Sequence, residues 1–188
     1  KYLKDSQKLT PPERLPFAKL LPKGGSILDV GCGGGRDAEF FAKRGLKVTG
    51  TDVSDVLINL AQKNVPQATF MCEDILKSKF PKNSFDGIWA HAILLHLKRN
   101  DVPKALKKFH TILKSGGALH VRVKKGKGEE FVKEKLSAWN ERFYTYFTKK
   151  EMEDMFRKEG FKVIASQITP DELHRPGVSW IMVWGQKQ

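Results

Sequence analysis

The sequence predicts an α/β protein built on a mostly parallel sheet with helices on both faces. Strand-like and helix-like segments alternate along almost the whole chain, and a glycine-dense turn joins the first strand to a helix. Its 188 residues also fit a single domain of roughly 100–200 residues, so one domain is expected over 1–188. Residues 1–25 read as a helical lead-in. The chain starts at Lys1 and not at Met, so that lead-in is open to truncation.

Pro11-Pro12-Glu13 opens a short helix carrying Leu15, Phe17, Leu20 and Leu21, closed by Pro22 and Gly24-Gly25. Ser26–Val30 is an apolar strand that runs into glycines, and residues 36–43 form a helix stopped by Gly45. A second strand spans 47–51, and a second helix spans Asp55–Asn64 with Val56, Leu57, Leu60 and Ala61 on one face. Strands at Thr69–Cys72 and 85–90 follow, then an amphipathic helix at 102–113 stopped by Ser115-Gly116-Gly117, and a fifth strand at 118–123. Residues 129–139 after the Lys/Gly-rich loop read as a polar helix. Thr148 with Glu151 forms a capping box for a helix ending at Gly160. The last strands, 161–168 and 179–185, have no helix between them and should pair antiparallel.

Composition narrows the function classes. Hydrophobic residues at 40% and charged residues at 29% suit an ordinary globular protein, and no apolar run approaches the roughly 18 residues of a membrane span. No charged-then-apolar leader is visible, and two cysteines, Cys32 and Cys72, suit a reducing, cytoplasmic setting. They are too few for a four-cysteine metal site, and no metal is expected. Charge is the unusual term, at +13, with nine of those units between residues 98 and 162. That excess raises the prospect of an anionic partner, RNA included. Lys104, Lys107, Lys108 and Lys114 also suit the solvated face of a helix.

The richest segment is Asp29-Val30-Gly31-Cys32-Gly33-Gly34-Gly35-Arg36-Asp37. Glycines let a ligand lie on bare backbone, and the helix that follows offers unpaired N–H groups to an anion. Twenty-one residues after Gly31, Asp52 ends the next strand, where a carboxylate can hold a ribose diol. A dinucleotide site needs G-x-G-x-x-G, and the position of its third glycine is Arg36 here, which disfavours a dehydrogenase. The run is instead D-x-G-x-G-x-G.

That pattern resembles motif I of the class I S-adenosylmethionine (SAM)-dependent methyltransferases. Further blocks resemble the same family: Cys72-Glu73-Asp74-Ile75, Phe85-Asp86-Gly87-Ile88-Trp89-Ala90, Ile112-Leu113-Lys114-Ser115-Gly116-Gly117 and Gly160-Phe161. A narrower likeness, in Gly35-Arg36-Asp37, residues 89–96 and 124–130, Arg142-Phe143 and Trp180, is to small bacterial methyltransferases similar in places to tellurite-resistance methyltransferases. The resemblance implies a Rossmann-like, doubly wound sheet of seven strands, ordered 3-2-1-4-5-7-6 with the last strand antiparallel. It implies SAM as cofactor. Asp29 would face its amino group, the helix N-terminus with Arg36 its carboxylate, and Asp74 with the Ile75 N–H its adenine. Gly31, Cys32, Gly33, Gly35, Asp52, Val53, Glu73, Ala90 and His91 complete the implied cofactor set.

Methyl transfer is an in-line displacement, so the protein must align the acceptor, take its proton where needed and exclude water. His91 ends the fourth strand, where it is either a base or a flank to the cofactor. His96 is read as a packing or hydrogen-bonding residue with a smaller claim on catalysis, and His110 and His120 as structural. Arg142, Arg175 and Lys124 are either an anion clamp over the same edge or surface charge. Cys32 faces the packed turn and is no nucleophile. Trp139, Phe143, Tyr144, Tyr146 and Phe147 either cap the acceptor or pack the core.

The expected activity is therefore methyl transfer from SAM to a small-molecule acceptor, with an anionic one suited to these basic groups. An RNA methyltransferase and a non-catalytic SAM-binding regulator are the alternatives.

Overall fold

The computed structural model describes residues 10–133 and 141–188. Its elements run α1 (Arg14–Ala18), β1 (Ser26–Val30), α2 (Arg36–Ala42), β2 (Lys47–Asp52), α3 (Asp55–Asn64), β3 (Thr69–Cys72) and β4 (Phe85–His91). There follow α4 (Val102–Ile112), β5 (Leu113–Lys124), β6 (Glu129–Val132), β7 (Arg142–Thr145), α5 (Lys149–Lys158), β8 (Phe161–Pro170) and β9 (Ser179–Lys187). Seven strands form one sheet in the order β3-β2-β1-β4-β5-β9-β8, and β6 pairs with β7 in a separate hairpin. Counted within the main sheet, β8 and β9 are the sixth and seventh strands, so the expected order 3-2-1-4-5-7-6 holds. Strands β3 to β5 are mutually parallel, and β9 runs antiparallel to both β5 and β8.

Alternation along the central strands builds two cores. Leu28, Ile88, Leu119 and Val121 face Leu106 and Phe109 of α4 on one side. Ile27, Trp89 and Ala118 face Phe17 and Phe41 of α1 and α2 on the other. Each large apolar side chain buried in this way contributes roughly 1.5–3 kcal/mol. Because helices cover both faces, the strands read as near-continuous apolar runs. Among the described residues no helix is long and apolar enough to cross a membrane.

Two expectations need correction. The polar helix over 129–139 is absent where it is described: Glu129–Val132 is a strand, paired with Arg142–Thr145 and fastened by the Phe131 and Phe143 rings 5.2 Å apart. Residues 134–140, Trp139 among them, lie outside the described residues, as do residues 1–9 of the lead-in. The fifth strand begins earlier than expected, at Leu113, because the chain pairs Leu113 with Phe85 and then shifts register through Ser115-Gly116-Gly117.

The hairpin is anchored chiefly by Arg99. Its guanidinium donates to the carbonyls of Tyr146 (2.6 Å) and Gly128 (3.3 Å), pairs with Glu151 of α5 and lies over the Phe147 ring. The hydroxyl of Thr145 donates to the Leu97 carbonyl at 2.6 Å. The hairpin is thereby held over the loop that follows β4.

Candidate functional site

The glycine turn sits at the carboxyl edge of the sheet and is pinned to the end of β2. The N–H groups of Gly31 and Cys32 both donate to the Thr51 carbonyl (2.7 and 2.9 Å), and that of Gly33 donates to Asp52 Oδ2 (3.0 Å). Gly33 has φ +54° and open space where a side chain would begin, so its backbone is bare. Gly31 is covered instead: a Cβ there would stand 2.6 Å from Ile93 Cδ1. Ala92 brings Ile93 over the turn by adopting φ +59°, a conformation that side-chain-bearing residues avoid.

Acids end the neighbouring strands. Asp52 also accepts from the Ser54 N–H through Oδ1 at 3.0 Å, so each of its oxygens holds one backbone bond and keeps a further lone pair. The carboxylate is therefore fixed in place before any ligand arrives. Asp29 Oδ2 and Glu73 Oε2 are buried carboxylate oxygens without a partner, an expensive arrangement that a ligand's N–H or O–H donors would relieve. Burial, with Asp37 close by, pushes the Asp29 carboxyl well above the usual carboxylate range. Asp74 Oδ1 accepts from the Leu76 N–H (2.9 Å) and organises a tight turn. Lys108 fixes the same turn by donating to the carbonyls of Leu76 (2.9 Å) and Ser78 (2.6 Å), so it is not a solvated surface lysine as expected. Ile75 and Ala90 are buried, whereas Val53 is 74% exposed beside Asp52. Burial raises the Cys32 thiol, which leaves it protonated and unreactive.

The helix after the turn is less available to an anion than its sequence suggests. Asp37 stands in its first turn, buried, and takes Arg36 through two bonds (2.9 and 2.6 Å), Arg14 at 3.2 Å and the Trp89 indole N–H at 3.0 Å. The Arg36 guanidinium thus lies on Asp37, not extended over the turn.

Beyond Ala90 a chain of rings crosses the sheet. Trp184 Nε1–H donates to His120 Nδ1 at 2.8 Å, and His120 Nε2 lies 3.0 Å from His91 Nδ1. An indole nitrogen only donates, so His120 must accept at Nδ1 and carry its proton on Nε2. That proton goes to His91 Nδ1, which leaves the proton of neutral His91 on Nε2. Burial and the Arg122 guanidinium hold the His91 imidazole well below its ordinary value, and burial does the same to His120. His91 consequently has no lone pair with which to take a proton from an acceptor, and its expected role as a base is withdrawn. Its place at the carboxyl end of β4 is as expected.

The other expected acceptor residues fall into two groups. His96 gives its Nδ1–H to the Phe143 carbonyl (3.0 Å), so the lone pair of the neutral ring is on Nε2. Half-buried Arg142 precedes Phe143 on β7, and Lys124 Nζ sits 3.6 Å above the Tyr144 ring. Tyr144 and Phe147 belong to the core, as the packing reading of the aromatic cluster held. Arg175 lies apart. It makes three bonds to buried Asp171, of 3.0, 2.9 and 2.7 Å, and that carboxylate also accepts from the Trp180 indole at 2.8 Å. Sequence reasoning missed Arg122, which is 2% exposed. The available signal was β5 itself, where His120, Arg122 and Lys124 interrupt an apolar strand at every second position. Among the described residues no group of three His, Cys, Asp or Glu is arranged to hold a metal ion.

A parallel sheet of this order, with a glycine turn after β1 and acids ending β2 and β3, defines a Rossmann-like nucleoside-binding protein of the methyltransferase type. Residues 27–117 match the family model described as a methyltransferase domain. That stretch, just under half of the chain, is a SAM-dependent methyltransferase family match. Over 114 residues it is 35% identical to the ubiquinone biosynthesis O-methyltransferase of Coxiella burnetii, covering 57% of this chain and 48% of that protein. The chain spans about half the length of the curated relatives it matches. A SAM-dependent methyltransferase from Methanosarcina mazei superimposes with a TM-score of 0.82 at 20% identity, over 95% of this chain and 98% of that one. The 1,6-didemethyltoxoflavin-N1-methyltransferase of Burkholderia thailandensis, solved with its substrate and S-adenosylhomocysteine, gives 0.80 at 22% identity, over 99% and 81%.

Proposed function

We propose that the chain transfers a methyl group from SAM to a small-molecule acceptor by in-line displacement. The observation that carries this reading is the pre-set Asp52 carboxylate beneath the bare Gly33 backbone, in a chain with this family match. Asp52 would hold the ribose diol, and Glu73 with Asp74 would face the adenosine at the end of β3. Asp29 would meet the ammonium group, whose positive charge offsets the cost of ionising a buried carboxyl. The Arg36 guanidinium and the turn backbone would bound the amino-acid tail. Bound SAM supplies a methyl group activated by positive sulfur: the acceptor's lone pair bonds to that carbon as the methyl–sulfur bond breaks and its electrons return to sulfur. The chain's task is alignment and exclusion of water. Where the acceptor must lose a proton, His96 Nε2 is the ring nitrogen suited to receive it.

A small acceptor is supported by the names of the relatives, which concern ubiquinone biosynthesis and 1,6-didemethyltoxoflavin. The charge of +13 favours a second reading, an RNA substrate. Against it, many of the basic groups are engaged within the fold, including Arg99, Lys108, Lys114, Arg122 and Lys149. A coupled assay for S-adenosylhomocysteine across a panel of small metabolites and a tRNA pool decides between them. Product with a small molecule, little changed by added salt, is expected. Turnover on tRNA alone, falling steeply with salt as released counterions demand, would select RNA. Thermal stabilisation by SAM without product on any acceptor would select the regulator.

A further inference from the structure

At the carboxyl edge of β4 and β5, His91 and Arg122 are direct neighbours across the two strands. Arg122 Nη1 stands 3.2 Å from His91 Nε2. Since Trp184 and His120 fix the His91 proton on Nε2, this contact sets one donor against another, and no hydrogen bond can join them. Two donors converging in this way call for an acceptor lying between them. The guanidinium is further under-satisfied: its Nε and Nη2 are buried without partners, although it lies 4.7 Å over the Trp180 ring. A buried charge left so incompletely paired is costly unless something completes it. One group does so in part. Glu172, at the start of the segment joining β8 to β9, places Oε1 on Arg122 Nη1 while its side chain remains 30% exposed. The adjacent Asp171, held by Arg175 and Trp180, positions that segment over the edge of the sheet.

We propose that Arg122 and the Nε2–H of His91 form a carboxylate seat for the methyl acceptor, which Glu172 fills until the acceptor arrives. This rests on the proposed transfer reaction for the identity of the occupant, while the seat itself rests on the side-chain geometry. A carboxylate is assigned because the group now on Arg122 is a carboxylate, and because a guanidinium fork matches its two oxygens. The acceptor would exchange for a partly exposed side chain at the start of a segment anchored through the adjacent Asp171. Arg122 and His91 would then orient the acceptor by its acid group, next to the cofactor crevice, and would take no proton from it.

Nitrogen-15 histidine labelling tests the seat, with His91 assigned by comparison with His91→Asn. Long-range proton–nitrogen correlations should show the His91 proton on Nε2; a proton on Nδ1 overturns the proposal. Sodium acetate is then titrated while the His91 ring resonances are followed. Glu172→Gln should respond at an acetate concentration at least about tenfold below that needed by the parent, and Arg122→Met should not respond. Equal midpoints for parent and Glu172→Gln, no response in Glu172→Gln, or a response surviving in Arg122→Met would each defeat it. Should Arg122→Met fail to fold, the comparison of Glu172→Gln with the parent decides. Phosphate in place of acetate should bind more weakly, and tighter binding would refute the carboxylate assignment. S-adenosylhomocysteine titrated calorimetrically into the parent reads the nucleoside site separately, so a failure there leaves the acetate result standing.

Discussion

Asp52 shows how a single side chain can prepare a site. Its two oxygens are fixed by the backbone N–H groups of Gly33 and Ser54, so the carboxylate cannot rotate away before a ligand arrives. Asp52→Ala removes the anchor of the turn and, on the proposed function, the charge-assisted contacts to a ribose. Affinity for S-adenosylhomocysteine should fall by at least roughly 1.5 kcal/mol, more than tenfold. Calorimetry giving an unchanged dissociation constant would take Asp52 out of the ribose role. The position of this residue was legible in the sequence because it is set by spacing from Gly31, which a sequence displays directly. His91 was legible in place but not in chemistry. Its tautomer is set by Trp184, 93 positions away in the chain, through His120. No local pattern encodes which ring nitrogen carries the proton. Arg36 was legible in position but not in its pairing, for a related reason: its immediate neighbour Asp37 is buried by the packing of Trp89 and Arg14, and takes the guanidinium.

At the scale of elements, the seven strands of the main sheet were legible because each carries an apolar run bounded by glycine, proline or a cap. The β6–β7 hairpin was not. Glu129-Glu130-Phe131-Val132 is short and polar, and it becomes a strand only because Arg142–Thr145 lies beside it. Tertiary contact overrides local propensity there. Much of that contact passes through Arg99, which joins the hairpin end, the capping-box glutamate of α5 and the Phe147 ring. Arg99→Ala should therefore loosen the hairpin without unfolding the sheet. Amide exchange in residues 142–146 should quicken at least about tenfold, or about 1.4 kcal/mol of local opening, since bonds to a charged donor contribute roughly 1.5–3 kcal/mol. Amides of β1 and β4 should keep their protection. Equal acceleration in both regions would mean that Arg99 supports the whole fold, and no acceleration would mean that the hairpin is held by other contacts. His96 moves with this element, because its ring is oriented by the Phe143 carbonyl. The hairpin thus sets the direction of the nitrogen proposed to receive an acceptor's proton.

At the scale of the whole molecule, the ring relay makes stability depend on pH in a direction fixed by its chemistry. His91 and His120 are both held well below the ordinary imidazole value of 6.5, so the folded chain keeps them neutral while the unfolded chain protonates them. Below that value the unfolded state binds up to two more protons, and stability must fall on acidification. Asp29 acts oppositely: its carboxyl is raised well above 3.8, so between its unfolded and folded values the native state holds a proton that the unfolded state lacks. His110, also held below its ordinary value by burial and Lys187, adds to the histidine side, so the imidazoles outweigh the single carboxyl and stability falls as pH drops below 6.5. Urea unfolding at pH 6 and pH 5 should therefore show lower stability at pH 5. Asp29→Asn removes the opposing group and should make the fall steeper. A flat profile in the parent would require one of the two imidazoles to be charged in the folded chain. His120 cannot be, because Nδ1 must accept from Trp184, and a charged His91 would need both ring nitrogens to donate, with His120 Nε2–H facing one of them. Level stability over that interval would thus break the relay, and with it the orientation of the Nε2–H that faces Arg122.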